Sequence, residues 1–223
     1  MINVQMAFIK GRSIFDRPLI VNEIVKWAKK SKEKLLIFKE DFEKAFDSLN
    51  WVFLDDVLDQ MGFRLKWRDW VKWCITTAKV SVLVNMSPTK EFRMEKRVRQ
   101  GDPLAPFLFI LAAEVLHVAM REAQQKGIFK GVQLRNVSQE ISIFQYADDA
   151  LFLRKWSTRN ATTLIRILKC FQMSFGLKVN LIKSRIMGVN VGAESVNNMA
   201  RVLNCRGDSP IHVSRNTDRR QDV

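Results

Sequence analysis

The chain has 223 residues, 47% of them hydrophobic and 27% charged, a balance that excludes intrinsic disorder as its main description. Lys and Arg number 37 against 23 Asp and Glu, so the formal net charge is +14, which exceeds what solubility needs and predicts a polyanionic partner such as nucleic acid. The 3 cysteines are too scattered for a disulfide framework or a zinc site. The sequence shows neither a secretory signal nor an apolar run of about 18 residues, so we expect an intracellular protein without a membrane partner.

Five helices are predicted from apolar periodicity and from the residues at their ends. Asp16, Asn50, Asp102 and Ser157 are suited to N-cap positions, and Gly176 is suited to end the last of these helices. The predicted helices span residues 17–30, 51–61, 66–76, 103–125 and 158–175.

Short apolar or alternating segments between the helices predict strands. Because strands and helices follow each other without the regular rhythm of βαβ units, we expect an α+β fold with an antiparallel sheet. After Cys205 the apolar periodicity ends, so we expect a folded domain over residues 1–205 and an unstructured tail over 206–223. The predicted strands span residues 35–41, 80–84, 91–94, 141–146, 150–153 and part of 179–191.

The third predicted helix is rich in tryptophan. Trp67, Trp70 and Trp73 are spaced at i, i+3 and i+6, which places them near one side of a helix. This spacing favours packing against the core over stacking on nucleic-acid bases.

Two acidic clusters lie at the ends of apolar strands. Asp41 ends the strand that begins at Leu35, and Asp148 and Asp149 lie between the two strands of a short apolar hairpin. Aspartate is common in turns, but carboxylates at the ends of buried strands need a cation or strong hydrogen-bond donors. Three carboxylates without His or Cys suit Mg²⁺, and two such ions about 4 Å apart can activate a hydroxyl and stabilise a leaving pyrophosphate. With the basic charge of the chain, this chemistry indicates nucleotidyl transfer.

Longer motifs surround these carboxylates in a fixed order. They are QMAFIKGR at 5–12 with NE at 22–23, DFEKAFDS at 41–48, RQGDPL at 99–104, YADD at 146–149, and FGLKVN at 175–180 followed by KS at 183–184. Together they resemble the motifs of reverse transcriptases, above all those of plant non-LTR (LINE-type) retrotransposons. Each motif alone is weak evidence, but several in the right order are strong evidence. The resemblance covers about residues 5–205 and implies fingers and a palm, with an antiparallel palm sheet packed on helices.

The resemblance implies a catalytic set. Asp41, Asp148 and Asp149 would hold two Mg²⁺ ions, with Mn²⁺ as an alternative, and the backbone carbonyl of Phe42 would assist. Lys183 would donate a proton to pyrophosphate, although a solvated lysine is an equally good interpretation.

The resemblance also implies residues that contact the substrates, which would be an RNA template, a DNA primer and a dNTP. Phe46 would be a steric gate that excludes a 2′-hydroxyl, although on sequence alone a core aromatic residue is the leading interpretation. Gln100 and Gly101 would lie against the incoming nucleotide and the template, and the glycine would let the backbone approach closely. Lys39 and Arg99 would contact phosphates, and Arg12 would be a basic residue of the fingers.

The chain departs from the family pattern at several positions. Glu40 stands where relatives usually have an apolar residue, and Met86 follows Asn85 where a glycine is usual, although a primed two-residue turn needs positive φ at both positions. Both ends also lack family segments, so we expect a chain truncated at both ends and without a thumb. A shifted reading frame or a misjoined gene model after Cys205 would explain the polar tail.

Two functions of different class fit these features. The first is the fingers and palm of a LINE-type reverse transcriptase, with little activity because the truncated chain holds its primer poorly. The second is a catalytically dead, basic relic of a retrotransposon that only binds nucleic acid. A telomerase or an intron-encoded reverse transcriptase ranks lower, and the oligomeric state stays open.

Overall fold

The computed structural model describes residues 16–43, 49–93, 102–133, 140–146 and 149–211. Its helices are α1 (Asp16–Ser31), α2 (Trp51–Gln60), α3 (Leu65–Thr76), α4 (Ala105–Gln125), α5 (Thr158–Phe175) and α6 (Ala193–Leu203). Its strands are β1 (Leu35–Glu40), β2 (Phe42–Glu43), β3 (Lys79–Val80), β4 (Leu83–Val84), β5 (Ser87–Pro88), β6 (Phe92–Arg93), β7 (Ile143–Tyr146), β8 (Asp149–Lys155), β9 (Lys178–Val179), β10 (Arg185–Val189) and β11 (Arg206–Gly207). The five predicted helices are confirmed, and α6 is a sixth that the sequence analysis does not identify.

The central sheet has the strand order β11-β10-β1-β8-β7. Strand β1 lies in its middle and pairs antiparallel with both β8 and β10, and β7 and β8 form an antiparallel hairpin. The predicted antiparallel sheet is therefore confirmed for these four strands, while β11 joins β10 in parallel. Three further two-stranded ladders pair β2 with β9, β3 with β6 and β4 with β5.

Both faces of this sheet are covered, which explains why β1 begins with four consecutive apolar residues. Leu36 and Phe38 face a large core that includes residues of α2, α4, α5 and α6. Leu35 and Ile37 face a smaller core against α1. At the end of β1 the same alternation buries the Glu40 side chain on the first face and leaves Lys39 exposed on the second.

The helix ends follow the predicted residues at three of the four testable positions. The Asn50 side chain accepts from the amides of Val52 and Phe53, and that of Ser157 accepts from the Asn160 amide. Gly176 ends α5 with φ +84°. Asp102 differs, because α4 begins at Ala105 and the Asp102 carboxylate instead accepts from the Leu104 amide in a turn before the helix. The Asp102 cap prediction is therefore wrong by about two residues.

The predicted hairpin after α3 is present as two short ladders. Asn85 and Met86 form its turn with φ of 49° and 65°, the two left-handed residues that a primed turn requires. Along α3 itself, Trp67 stacks on Phe63 with ring centroids 4.5 Å apart, but Trp70 and Trp73 are 59% and 67% exposed. The packing prediction is confirmed for Trp67 and wrong for the other two tryptophans.

The segment that follows Cys205 is ordered further than expected. Residues 206–207 form β11 beside β10, and Ile211 makes a parallel bridge to Val189. The prediction of an unstructured tail is therefore wrong for residues 206–211, because their backbone groups pair with β10 although their side chains lack apolar periodicity. Residues 212–223 lie outside the described residues, and the division of domains there stays a prediction.

Candidate active site

Asp41 lies directly after β1, and its backbone is held from both sides by the turn before β10. Its amide donates to the Ser184 hydroxyl at 3.2 Å, and its carbonyl accepts from the Asn180 amide at 2.8 Å. The Ser184 hydroxyl in turn donates to the Asn180 carbonyl at 2.8 Å. This closed set of bonds fixes the position from which the half-buried Asp41 carboxylate leaves the strand.

Asp149 begins β8 and pairs with Tyr146 across the hairpin formed with β7. Strand β8 also pairs with β1, and the last paired residues are Glu40 and Ala150. Asp41 follows β1 directly and Asp149 begins β8, so both residues lie at the same end of these two adjacent strands. The sheet therefore brings two of the three predicted carboxylates to neighbouring positions.

Lys39 is the cation nearest to Asp149 among the described residues. Its ammonium nitrogen lies 3.8 Å from a carboxylate oxygen of Asp149, and both side chains are half exposed. Since an exposed pair at this distance contributes little to stability, the contact mainly indicates where positive charge is favoured.

Glu40 is fully buried beneath this site, and neither of its carboxylate oxygens has a hydrogen-bond partner in the described part of the chain. Burial, and then the neighbouring charge of Asp41, raise the pKa of Glu40 well above its ordinary value. The acidic residue that departs from the family pattern therefore lies inside the domain.

A cavity of about 250 Å³ opens beside Asp41. Lys183 contributes to its wall, so the structure brings this predicted residue close to Asp41. Sequence reasoning missed two other basic residues of the wall, Arg185 and Arg206. No local sequence pattern marks these two residues as part of a site, because only the pairing of β10 with β11 brings them together. The cavity is lined by Lys39, Glu40, Asp41, Lys183, Arg185 and Arg206.

Phe42 belongs to β2, opposite Val179 of β9, and its ring lies 6.3 Å from that of Phe171. The remaining predicted site residues lie outside the described residues: Arg12, Phe46, Arg99, Gln100, Gly101 and Asp148.

The donor set of the described site suits a hard divalent cation, since Asp41 and Asp149 offer carboxylate oxygens. Over residues 16–43, 49–93, 102–133, 140–146 and 149–211, no group of three His, Cys, Asp or Glu side chains converges as a metal site. The third predicted carboxylate, Asp148, is adjacent to Asp149 in sequence and is not among the described residues. In the same described part of the chain, no helix is long and apolar enough to cross a membrane.

An antiparallel sheet that carries aspartates at the ends of adjacent central strands and packs on helices defines a palm-type α+β domain. The chain belongs to the family described as reverse transcriptase (RNA-dependent DNA polymerase), whose sequence model matches residues 1–203. A family match over nearly the whole chain confirms the family resemblance carried by the motifs.

Relatives of the chain include retrotransposon proteins of the non-LTR class. It is 27% identical over 149 residues to the transposon TX1 uncharacterized 149 kDa protein of Xenopus laevis, which covers 67% of this chain and 11% of that protein. It is also 27% identical over 163 residues to the retrovirus-related Pol polyprotein from type-1 retrotransposable element R2 of Nasonia vitripennis, covering 73% of this chain and 15% of that protein. The chain thus spans a small part of the length of these relatives.

Another relative comes from a plant. The uncharacterized mitochondrial protein AtMg01250 of Arabidopsis thaliana is 40% identical over 67 residues, 30% of this chain and 55% of that protein. Because this match covers a minority of the chain, the plant-like affinity stays a prediction.

Solved telomerase structures share the fold. Telomerase from Candida albicans, in complex with a fragment of telomeric RNA, superposes with a TM-score of 0.60 at 15% identity over 81% of this chain and 31% of that chain. Apo telomerase from Candida tropicalis gives a TM-score of 0.59 at 15% identity over 85% of this chain and 37% of that chain. The predicted fingers-and-palm fold of the α+β class agrees with these neighbours.

Proposed function

We propose that this chain carries the catalytic palm of an RNA-directed DNA polymerase, in which a primer 3′-hydroxyl attacks the α-phosphate of a dNTP on an RNA template. The observation that supports the proposal is the antiparallel pairing of β1 with β8, since Asp41 follows the end of β1 and Asp149 begins β8 at the same end of the sheet. Membership of the reverse transcriptase family supplies the reaction class.

Asp41, Asp148 and Asp149 are the residues that would hold two Mg²⁺ ions, with Mn²⁺ as an alternative. When bound, such ions lower the pKa of the attacking hydroxyl and stabilise the charge of the leaving pyrophosphate. The hydrogen bonds that fix the Asp41 backbone to Asn180 and Ser184 support this role, because a preorganised ligand needs no rearrangement during the reaction.

Two lysines near the carboxylates have roles that their surroundings support. Lys183 lines the cavity beside Asp41, where an ammonium can donate a proton to the leaving pyrophosphate oxygen. Lys39 contacts Asp149 and is suited to move toward a substrate phosphate when a divalent cation takes its place at the carboxylate.

The contacts to template, primer and nucleotide rest on the motif resemblance. Phe46 would exclude a 2′-hydroxyl, and Gln100 and Gly101 would lie against the base pair that forms. Arg99 and Arg12 would contact phosphates. The net charge of +14 agrees with partners that are polyanions, and relatives of this fold include a telomerase solved with RNA.

Primer extension on an RNA template tests the proposal. We expect the 223-residue chain to extend the primer only with Mg²⁺ or Mn²⁺, and Asp149→Asn to reduce extension more than about 100-fold, as loss of one charge-stabilising group in a catalytic site does. Asp56→Asn is the matched control, because Asp56 is exposed on α2 and lines neither the cavity nor the carboxylate cluster. A parent that melts cooperatively but extends no primer, while it still binds RNA, would overturn the proposal in favour of the binding relic.

A further inference from the structure

Helix α3 exposes two tryptophans beside a lysine on the side that faces away from the core. Lys66, Trp70 and Trp73 follow each other at spacings of four and three residues, so they lie on one helix face, which we call the α3 outer face. The two indole side chains are 59% and 67% exposed, and the Lys66 ammonium lies 5.4 Å from the Trp70 ring centroid. Large exposed aromatic residues next to a cation are more typical of a binding surface than of a solvated helix.

The orientation of this face is fixed by contacts on the opposite side of α3. Val71 is buried in the large core, and the Arg68 guanidinium donates two hydrogen bonds to the Asp55 carboxylate of α2, at 2.8 and 2.9 Å. The Arg68 guanidinium also donates to Asp59. Because these contacts hold one side of α3 against α2, the α3 outer face keeps a fixed orientation on the domain.

The charge around the face favours a polyanion over an apolar protein partner. Helix α3 and the residue before it carry four basic residues, Arg64, Lys66, Arg68 and Lys72, and one acidic residue, Asp69. Because Arg68 is paired with carboxylates of α2, three basic residues and one acidic residue of this segment lie outside that pairing. Interleaved cations and aromatic rings match the combination of phosphates and base faces in a single strand.

We propose that the α3 outer face binds single-stranded nucleic acid by stacking bases on Trp70 and Trp73 while Lys66 contacts phosphate. Such stacking tolerates any base, since every base has a π-face, so the surface holds a strand without selecting its sequence. The site lies on α3, whereas the carboxylates lie at the ends of β1 and β8, and it does not depend on the proposed catalysis.

The test measures binding of labelled U15 RNA and dT15 DNA to the 223-residue chain in EDTA, so that metal-dependent contacts do not contribute. We expect Trp70→Leu combined with Trp73→Leu to raise Kd at least about tenfold and to remove most of the quenching of tryptophan fluorescence. The slope of log K against log salt should stay the same in that variant, because no phosphate contact is lost. Lys66→Gln should instead reduce the slope by about 0.7. Comparison of the Kd values for U15 and dT15 shows whether the surface prefers RNA, the chemistry of the template, or DNA, the chemistry of the primer.

Met173→Ala is the matched control, since Met173 is an exposed apolar side chain on α5, and it should leave Kd unchanged. The same comparison in the Asp149→Asn background separates this proposal from the catalytic one, because strand binding should persist when extension is lost. A double tryptophan variant that binds both strands within twofold of the parent would overturn the proposal. So would a concentration-dependent dimer that the same double variant abolishes, since the face would then serve another copy of the chain.

Discussion

The backbone amide of Asp41 donates a hydrogen bond to the hydroxyl of Ser184 at 3.2 Å, across 143 residues of chain. Ser184 is fully buried, and its hydroxyl also donates to the Asn180 carbonyl. The catalytic role proposed for Asp41 therefore depends on a turn that is distant in sequence and that begins four residues before Ser184.

Replacing Ser184 by alanine removes the acceptor of the Asp41 amide. We expect Ser184→Ala to lower the free energy of unfolding by about 1–3 kcal/mol, the cost of an unsatisfied buried donor. We also expect it to reduce primer extension per folded molecule, because the backbone that carries the Asp41 carboxylate loses one of its two restraints.

Ser142→Ala is the control, since Ser142 is also buried and its hydroxyl donates to Gln124, away from the carboxylates. Denaturant titration and extension assays on both variants separate stability from function. Equal loss of extension in the two variants would contradict a positioning role for Ser184.

Removal of the Lys39 charge should change the requirement for divalent cation. Lys39 lies 3.8 Å from Asp149, and a cation must displace it to reach that carboxylate oxygen. An exposed pair contributes at most about 1 kcal/mol, so Lys39→Gln should lower the Mg²⁺ concentration for half-maximal extension by about two- to fivefold. Titration of Mg²⁺ in the extension assay measures this shift.

Lys79→Gln provides a matched control, because the pair of Lys79 with Glu91 is similarly exposed and lies in another ladder. The control should leave the Mg²⁺ requirement unchanged. A higher Mg²⁺ requirement in Lys39→Gln would mean that Lys39 assists the site rather than competing for Asp149.

Local signals predict much of this fold. Asn50 and Ser157 cap their helices because a side-chain oxygen reaches nearby amides, and Gly176 ends α5 because it tolerates positive φ. The same kind of signal exists for α6, where Val196, Met199, Ala200 and Leu203 repeat on one face, although its neighbours are polar enough to obscure it.

Other features depend on pairings between distant segments, and no local pattern specifies them. The cavity brings together Asp41, Lys183 and Arg206, which belong to three segments joined only by the order of the sheet. The motif spacing predicts Asp41 and Lys183 through resemblance, but it gives no reason to include Arg206. The burial of Arg154 could not be predicted from the sequence either, because arginine is normally exposed.

Glu40 should make stability depend on pH. Its pKa is raised first by burial and then by Asp41, so the folded chain keeps a proton that the unfolded chain releases near its ordinary pKa of about 4.3. The stability that this proton supports is present below that value and is lost as pH rises toward the raised pKa of the folded chain. Four basic residues line the cavity that Glu40 also lines: Lys39, Lys183, Arg185 and Arg206.

Glu40→Gln removes this dependence while keeping the shape of the side chain. The difference in unfolding free energy between the variant and the parent should therefore grow from pH 4 to pH 8, in favour of the variant. Denaturant titrations in EDTA measure it, with the exposed Glu23→Gln as a control that stays flat. A difference that does not change with pH would show that Glu40 is ionised in the folded chain over the whole range.

Arg154 is a fully buried ionisable residue on β8. Its guanidinium lies 3.4 Å from the centroid of the Phe129 ring and donates to the Asn160 carbonyl, yet two of its nitrogens have no hydrogen-bond partner among the described residues. Burial holds the pKa of Arg154 well below its ordinary value, so the charge is costly where it lies.

An apolar side chain of similar length should therefore be tolerated better than a short one. Arg154→Met keeps the packing on Phe129 and removes the unpartnered groups, so we expect equal or greater stability than the parent, by up to about 3 kcal/mol. Arg154→Ala leaves a cavity beside the ring and should destabilise the chain by about 2–4 kcal/mol. Thermal melts of both variants show whether Arg154 stabilises the fold through its packing or through its charge. A methionine variant as unstable as the alanine variant would mean that the guanidinium charge itself is required, because it holds Asn160 at the start of α5.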